Sequence, residues 1–589
     1  MSVPAFEMSP VEQKRLQASL KTATGTFNQA VAVSQDALND GLYYLFDKFE
    51  ELKKMEVNSK KFGSINASMS YSEISLPVKS SNYRTVVFYC IFESGQLIVT
   101  DDMGRPKPRI KMDKWRFAFD VDFTTLQVPP QTQEHEEVKK KLKQLGDYSI
   151  KRLFLDFKTH KIRNFKKDLS SFGDHVWNNE DLQSFLSLMS FWGDPDKGVM
   201  KDPQKSTLGY YLTTPKPETV NPPAPTFPPT AMKHQHYKYI APGKDVPDEG
   251  LKLGKNNMLL YLEMTQNRSF PKEDILEYSG NFVTAGMKGT TCISRDVFWD
   301  SYLIRNPPLS SPPGSLPPLL REFNRHTYAW LGGFHIWAKG YVAGVAWSFG
   351  FGHTGWEPPR THEYFAWKQV SADKWEWKVS DDKSDSDKGT WPVKAEGKAK
   401  SYTYNELWFV PGQNVIHIKG VSKLWAEWKK SGWETLIEKG GSEIKFSVDI
   451  SVDSVIEGGL KLNMNLPQIP KDVFKITQVM NPWGAAAQQD SSDDTESEPE
   501  RWETAEGDED KVIPEAKAGE KKSINVKDIM EAASFAANQL DFKPMTTNLQ
   551  SALLNSARFV ISGGQDFFHK NPVFNNNGDL IVEATYKHR

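Results

Sequence analysis

Few residues in this chain have the types and spacing to do chemistry. His234 and His236 stand two apart, and an imidazole pair on one strand face could supply two ligands to a metal. A zinc site needs three or four protein ligands, and no clear third stands near them, so no metal is expected. Asp373, Glu376, Asp381 and Asp382 offer the paired carboxylates of a glycosidase. They lie in SADKWEWKVSDDKSDSDK, whose mix of lysine, aspartate and serine reads as a solvated hairpin. Residues 350–355, GFGHTG, fit the dinucleotide fingerprint G-x-G-x-x-G. That motif works by placing a helix N-terminus behind the pyrophosphate, and Trp356-Glu357-Pro358-Pro359 cannot open a helix there. No G-x-S-x-G, H-E-x-x-H or P-loop sequence is present, so no catalytic residue and no cofactor is assigned.

Composition bounds what remains. The 589 residues predict three or four domain-sized units, fewer if these are large β structures. A net charge of −2 implies neither a nucleic-acid surface nor a strongly basic membrane face. Two cysteines, Cys90 and Cys292, cannot build a disulfide framework, so a reducing compartment is expected. The first residues lack the apolar region of a secretory signal. The expectation is a cytoplasmic protein, with unconventional export left open. The sequons at Asn66 and Asn267 then read as chance matches.

The elements that must position any site read as β structure punctuated by a few helices. Ser34 is an N-cap with Asp36 in the first turn, and Leu38, Leu42, Leu45, Phe46, Phe49 and Leu52 recur at helical spacing over 34–52. A second helix is predicted over 179–192. Trp115, Phe117, Phe119, Val121 and Phe123 alternate with Arg116, Ala118, Asp120 and Asp122 as a half-buried strand. Residues 84–99 read as a hairpin or two successive strands, and 580–586 as a closing strand. The stretch 329–356, AWLGGFHIWAKGYVAGVAWSFGFGHTGW, is the most apolar of the chain. As a membrane helix it would bury Lys339, at about 2.5–3.5 kcal/mol. Period two fits it better: Tyr341, Ala343, Val345, Trp347, Phe349 and Phe351 form a bulky face and Val342, Gly344, Ala346 and Ser348 a small one. No transmembrane segment is expected.

Proline and charge mark the seams. TTPKPETVNPPAPTFPPT at 213–230 is an extended connector, and NPPLSSPPGSLPP at 306–318 interrupts the second half. From 488 to 522 the chain turns polar, with eleven carboxylates between Asp490 and Asp510, a composition that cannot support a core. Helical patterns return over 526–556. Thirteen of the eighteen tryptophans fall between Trp299 and Trp433, with Trp425 and Trp428 at helical spacing. Exposed, they could stack on sugars or insert at a headgroup boundary; buried, they make a large core. Finally, VSQDALNDGLYYLF at 33–46 echoes ISRDVFWDSYLIRN at 293–306: Ser34, Asp36 and Asp40 match Ser294, Asp296 and Asp300 at an offset of 260. Each copy opens a helix, which supports two related halves.

The runs LGYYLTTPKPETVNPPAPTFPPTAMKHQ (208–235), NNMLLYLEMTQNR (256–268) and CISRDVFWDSYLI (292–304) resemble the tubular lipid-binding (TULIP-like) superfamily. The branch nearest in character is the forty-seven-kilodalton accessory protein family of botulinum neurotoxin gene clusters and its fungal and bacterial relatives. The resemblance implies an α+β fold of two related lobes, each a long helix wrapped by a highly curved, mainly antiparallel β-sheet. On this basis residues 1–212 form the first lobe, 213–245 a connector and 246–487 a tryptophan-rich second lobe. Residues 488–522 are an acidic disordered insertion, and 523–589 complete the second lobe.

The same resemblance implies an apolar groove between helix and sheet. Its ligand-binding residues would be Leu38, Leu42, Leu45, Phe46 and Phe49 on the helix, with Tyr341, Val345, Trp347, Phe349 and Phe351 on the aromatic strand. The leading function is non-catalytic binding of lipid or another hydrophobic small molecule, with a peripheral membrane or protein partner possible and no nucleic acid. Two alternatives stay open: a structural or toxin-accessory interaction protein with filled grooves, and a secondary-metabolism enzyme using a β cavity without a conventional motif.

Overall fold

The computed structural model describes residues 8–304 except 80–82, 143–148, 195, 214–228, 266 and 274; Asn324; 335–342, 345–352, 366–388, 394–431, 436–454, 460–464 and 474–479; and 560–586 except 562–564. The proline run 306–318, the acidic segment 488–522, the patterns of 526–556 and most of the 213–230 connector lie outside the described residues.

Fifteen strands form one sheet. Its order is Ala231–Tyr237, Met258–Met264, Gln29–Ser34, Gly289–Ile293, Leu580–Tyr586, Gln565–Phe574, Val560–Ile561, Thr207–Thr213, Ser149–Asp156, Arg116–Gln127, Thr85–Val99, Gly63–Met69 and Lys54–Ser59. Glu73–Ser75 and Ile110–Lys111 add to strand 85–99. The sheet curls into a half-barrel, because side chains from strands far apart in this order share one core. Val31, Leu259 and Tyr261 meet Phe88, Phe119 and Leu153 there.

The alternation read in strand 116–127 holds: Phe117, Phe119, Val121 and Phe123 enter that core while Arg116 and Thr124 point away from it. Strand 85–99 corrects the hairpin reading. It runs unbroken for fifteen residues, and Ser94-Gly95, which looked like a turn, is a point of close approach. A Cβ on Gly95 would lie 2.4 Å from that of Ala67 on the neighbouring strand.

The first helix spans Gln35–Lys48 and is followed by a 3-10 turn, Glu50–Lys53, so the helical spacing ran past a break at Phe49. Ser34 caps it as expected, its hydroxyl accepting from the Ala37 amide. The helix is pinned to the sheet's short strand 73–75. Asn39 donates to the Ile74 carbonyl at 3.1 Å and accepts from its amide at 2.8 Å, and Gln35 accepts from the Leu76 amide at 2.8 Å. The second helix, Asn179–Trp192, matches its predicted span and is capped by Asn178.

A second sheet carries four long strands in sequence order, Lys374–Lys388, Lys394–Phe409, Val415–Ser431 and Leu436–Ser454, with shorter strands at 368–369, 460–464 and 474–479. Trp425 and Trp428 therefore lie on a strand, not a helix; a three-residue spacing alone does not distinguish the two. Asp381 and Asp382 sit mid-strand opposite Ser401 and Lys400, away from Asp373 at the turn. Trp299, Trp367, Trp375 and Trp377 are buried. Trp299 stacks on Trp375 at 4.7 Å and packs with Phe409 and Phe574, while the Arg295 guanidinium covers Trp375 at 4.8 Å. These tryptophans make core.

The aromatic stretch is two strands rather than one. His335–Val342 and Val345–Gly352 pair antiparallel, Tyr341 opposite Ala346 and Val342 opposite Val345. Alternation of side chains does not distinguish one long strand from two paired ones of the same composition.

Candidate functional site

Strand 258–264 reads MLLYLEM, and every residue of it is buried. A strand covered on both faces has this composition. Met258, Leu260, Leu262 and Met264 join one core with Ala30 and Ala32, while Leu259 and Tyr261 join the main core with Val31 and Val33. The exception in the run is Glu263. It faces Gln29 across the ladder and accepts a hydrogen bond of 2.5 Å from the Gln29 amide. Burial raises the Glu263 carboxyl to about 8, against the opposing pull of that bond. The group is mostly protonated at neutral pH.

The next strand outward, 231–237, is the sheet's edge among the described residues. His234 stands opposite Tyr261, and His236 opposite Leu259. Two residues apart, both imidazoles share the face that looks into the half-barrel. The His234 ring meets Tyr261 edge-on at 4.8 Å and Tyr211 at 6.2 Å; the His236 ring meets Phe123 at 6.0 Å. Tyr211 comes from strand 207–213, and its hydroxyl is paired with the Thr125 side chain.

The imidazoles are polar groups in an apolar setting. His236 is 2% exposed. His234 Nε2 and both ring nitrogens of His236 are sealed from solvent without a partner in hydrogen-bond geometry, apart from a loose approach of His236 to the Pro77 backbone. Burial lowers His234 to about 3, helped by Arg84 and His236, and lowers His236 to about 4. Both rings are neutral at physiological pH. The cluster can donate and accept hydrogen bonds but brings no net charge. Cys90 and Cys292 are buried, with thiols pushed up by desolvation, so neither is a ready nucleophile. Among the described residues no three metal-ligating side chains come together, and no helix is long and apolar enough to cross a membrane.

The predicted groove residues divide. Leu38, Leu42, Leu45 and Phe46 line one helix face and enter the same core as Tyr261 and Tyr211. Phe49 lies just past the helix end, partly buried, with the Lys48 and Lys205 ammonium groups over its ring at 5.1 and 5.9 Å. Tyr341, Val345, Trp347, Phe349 and Phe351 belong to the separate two-stranded sheet, which lies against strands 374–388 and 394–409. Sequence reasoning found the histidine pair but missed Tyr211, Tyr261 and Glu263. The available signal was one carboxylate in a fully apolar strand run.

No protein-family model matches the chain, and no curated protein matches it by sequence. Among solved structures, P47 of Clostridium botulinum E1 is similar with a TM-score of 0.38 and 9% identity, covering 95% of this chain and 99% of that one. Lipopolysaccharide binding protein is similar with a TM-score of 0.26 and 10% identity, covering 95% and 99%.

Proposed function

We propose that this chain binds a lipid or another apolar small molecule, without catalysis, between helix 35–48 and the inner face of the curled sheet. The observation that supports it is the lining. Met69, Phe88, Phe119, Leu153 and Leu259 continue one apolar surface across five strands around the helix. An acyl chain needs no directed chemistry in such a place, since each buried methylene contributes about 0.8 kcal/mol. The proposal extends to two lobes, 1–212 and 246–487 with 523–589, acting in the cytoplasm. The matched hydroxyl-to-amide bonds of Ser34 and Ser294, before an α-helix and the π-helical segment Asp296–Leu303 respectively, support that division.

One observation favours a second reading. Leu38, Leu42, Leu45 and Phe46 are at most 3% exposed within the chain's own contacts, as in an interaction scaffold whose interior is filled by its side chains. Native mass spectrometry of protein purified from expressing cells, paired with titration of the apolar fluorophore N-phenyl-1-naphthylamine, tests between them. Co-purifying lipid and saturable fluorophore binding are expected; if neither is seen, the scaffold reading replaces the binding one.

A further inference from the structure

We infer that the imidazoles of His234 and His236 hold the O–H head of a single-chain amphiphile, a carboxylic acid or an alcohol, whose alkyl chain lies along the half-barrel interior. The inference rests on the apolar-binding reading and adds a polar recognition element to it.

Three observations carry it. The two rings project from one face of the edge strand toward the interior, next to Tyr211, Tyr261 and Phe123. His234 Nε2 and both nitrogens of His236 are sealed and, apart from the loose approach of His236 to the Pro77 backbone, lack a hydrogen-bond partner, a condition that buried polar groups rarely tolerate. Of the other groups at the cluster, Glu263 is occupied by Gln29 and the Tyr211 hydroxyl by Thr125, and the Arg84 guanidinium is the charge that acts on His234. Leaving an imidazole nitrogen unsatisfied in a buried site is costly, and a leucine at either position would avoid that cost.

The chemistry selects the head. A neutral imidazole offers one N–H donor and one lone-pair acceptor. An O–H donates to the acceptor nitrogen of one ring, and the head's oxygen accepts from the N–H of the other, with no proton transferred. An ester can accept but not donate, and a hydrocarbon can do neither. A permanently cationic head would enter an apolar site where the charge acting on His234 is the Arg84 cation, which is strongly unfavourable.

The test is displacement of N-phenyl-1-naphthylamine by dodecanoic acid, dodecanol and methyl dodecanoate, on the full chain and on the double variant His234→Leu/His236→Leu. The acid and the alcohol should compete about tenfold more tightly than the ester, the size of one good hydrogen bond. The acid and alcohol arms are run at pH 5, where a substantial share of the acid carries its O–H while both rings stay mostly neutral, and they show which head is preferred. In the double variant all three should compete equally while the fluorophore still binds. A variant that fails to fold is replaced by His234→Phe alone, which keeps a ring opposite Tyr261. Equal competition in the parent chain overturns the inference and leaves apolar binding standing, with water as the occupant of the histidine site. Absence of both fluorophore and competitor binding overturns the two together.

Discussion

Val31 and Thr291 face one another across the ladder between strands 29–34 and 289–293, and they are also the residues that correspond when Ser34 is laid on Ser294. Both relations hold together only about a local two-fold axis through that pair. The flanking contacts obey it. The Ser34 amide donates to the Lys288 carbonyl at 3.0 Å, and the Ser294 amide to the Asn28 carbonyl at 2.9 Å. Strand 258–264 flanks one member, and strand 580–586 the other. The sequence echo is thus a symmetry of the sheet, and the two serines start helical segments that leave from opposite ends of the strand pair.

Removing each cap should expose this equivalence. The Ser34 hydroxyl accepts from the Ala37 amide at 3.2 Å, and that of Ser294 from the Val297 amide at 3.4 Å. Ser34→Ala should cost about 1 kcal/mol, and Ser294→Ala somewhat less because its contact is longer. Urea denaturation of both single variants and the double checks this. Losses that differ several-fold would show that the two caps are not energetic equivalents.

Gly95→Ala should destabilise the chain by about 1–3 kcal/mol, as overpacking does. Its new methyl would press on the Ala67 Cβ, and backbone atoms of strand 63–69 leave it no room. Gly95 has ordinary strand backbone, so the loss reports the close contact rather than a left-handed conformation. An unchanged urea midpoint for Gly95→Ala would contradict the close approach.

Phe46→Ala should cost about 3–5 kcal/mol, the value for a filled core, since transfer and cavity terms add; Phe46 is 2% exposed and packs against Tyr71. Phe49→Ala, at a partly buried site, should cost less than half of that. The full loss in a chain that binds no fluorophore would support the scaffold reading; a smaller loss together with weaker fluorophore binding would support the proposed ligand against this helix face.

Stability should depend on pH through three groups held in an apolar setting, two of them, His236 and Glu263, buried and the third, His234, partly buried. His234 and His236 titrate near 3 and 4 in the folded chain, against 6.5 for the free side chain. Below pH 6.5 the unfolded chain takes up protons that the folded one refuses, so stability falls with falling pH, by about 1.4 kcal/mol per unit for each ring. Glu263 acts oppositely. Between its free value of 4.5 and its folded value of about 8, the folded chain keeps a proton that the unfolded one releases, and stability falls with rising pH. Glu263→Gln should therefore flatten the decline from pH 6.5 to 8, and the double histidine-to-leucine variant the decline below 6.5. Denaturation midpoints across pH 5–8 give the answer; slopes parallel to the parent chain would refute the assignments.

What was legible followed from local rules. The Ser34 cap, the apolar spacing over 179–192 and the alternation from Phe117 to Phe123 announce their elements because capping and periodicity act over a few residues. The hairpin at 335–352 stayed hidden because both of its strands and their short link share one apolar, small-residue composition. The histidine cluster was half visible. His234 and His236 stand out in the sequence, but Tyr211, Phe123 and Tyr261 reach them only through the curl of a sheet whose order mixes strands from distant parts of the chain. No spacing encodes that.

The placement of strand 580–586 has a consequence for biosynthesis. It lies between strands 289–293 and 565–574, inside the sheet rather than at its margin. During translation, strand 289–293 must wait for nearly half of the chain to be made before its second neighbour exists. Until then it presents an unsatisfied edge to other nascent chains, a template for misassembly. Ribosome-bound chains halted before residue 580 should therefore recruit chaperones more strongly than chains halted just after release of the last strand.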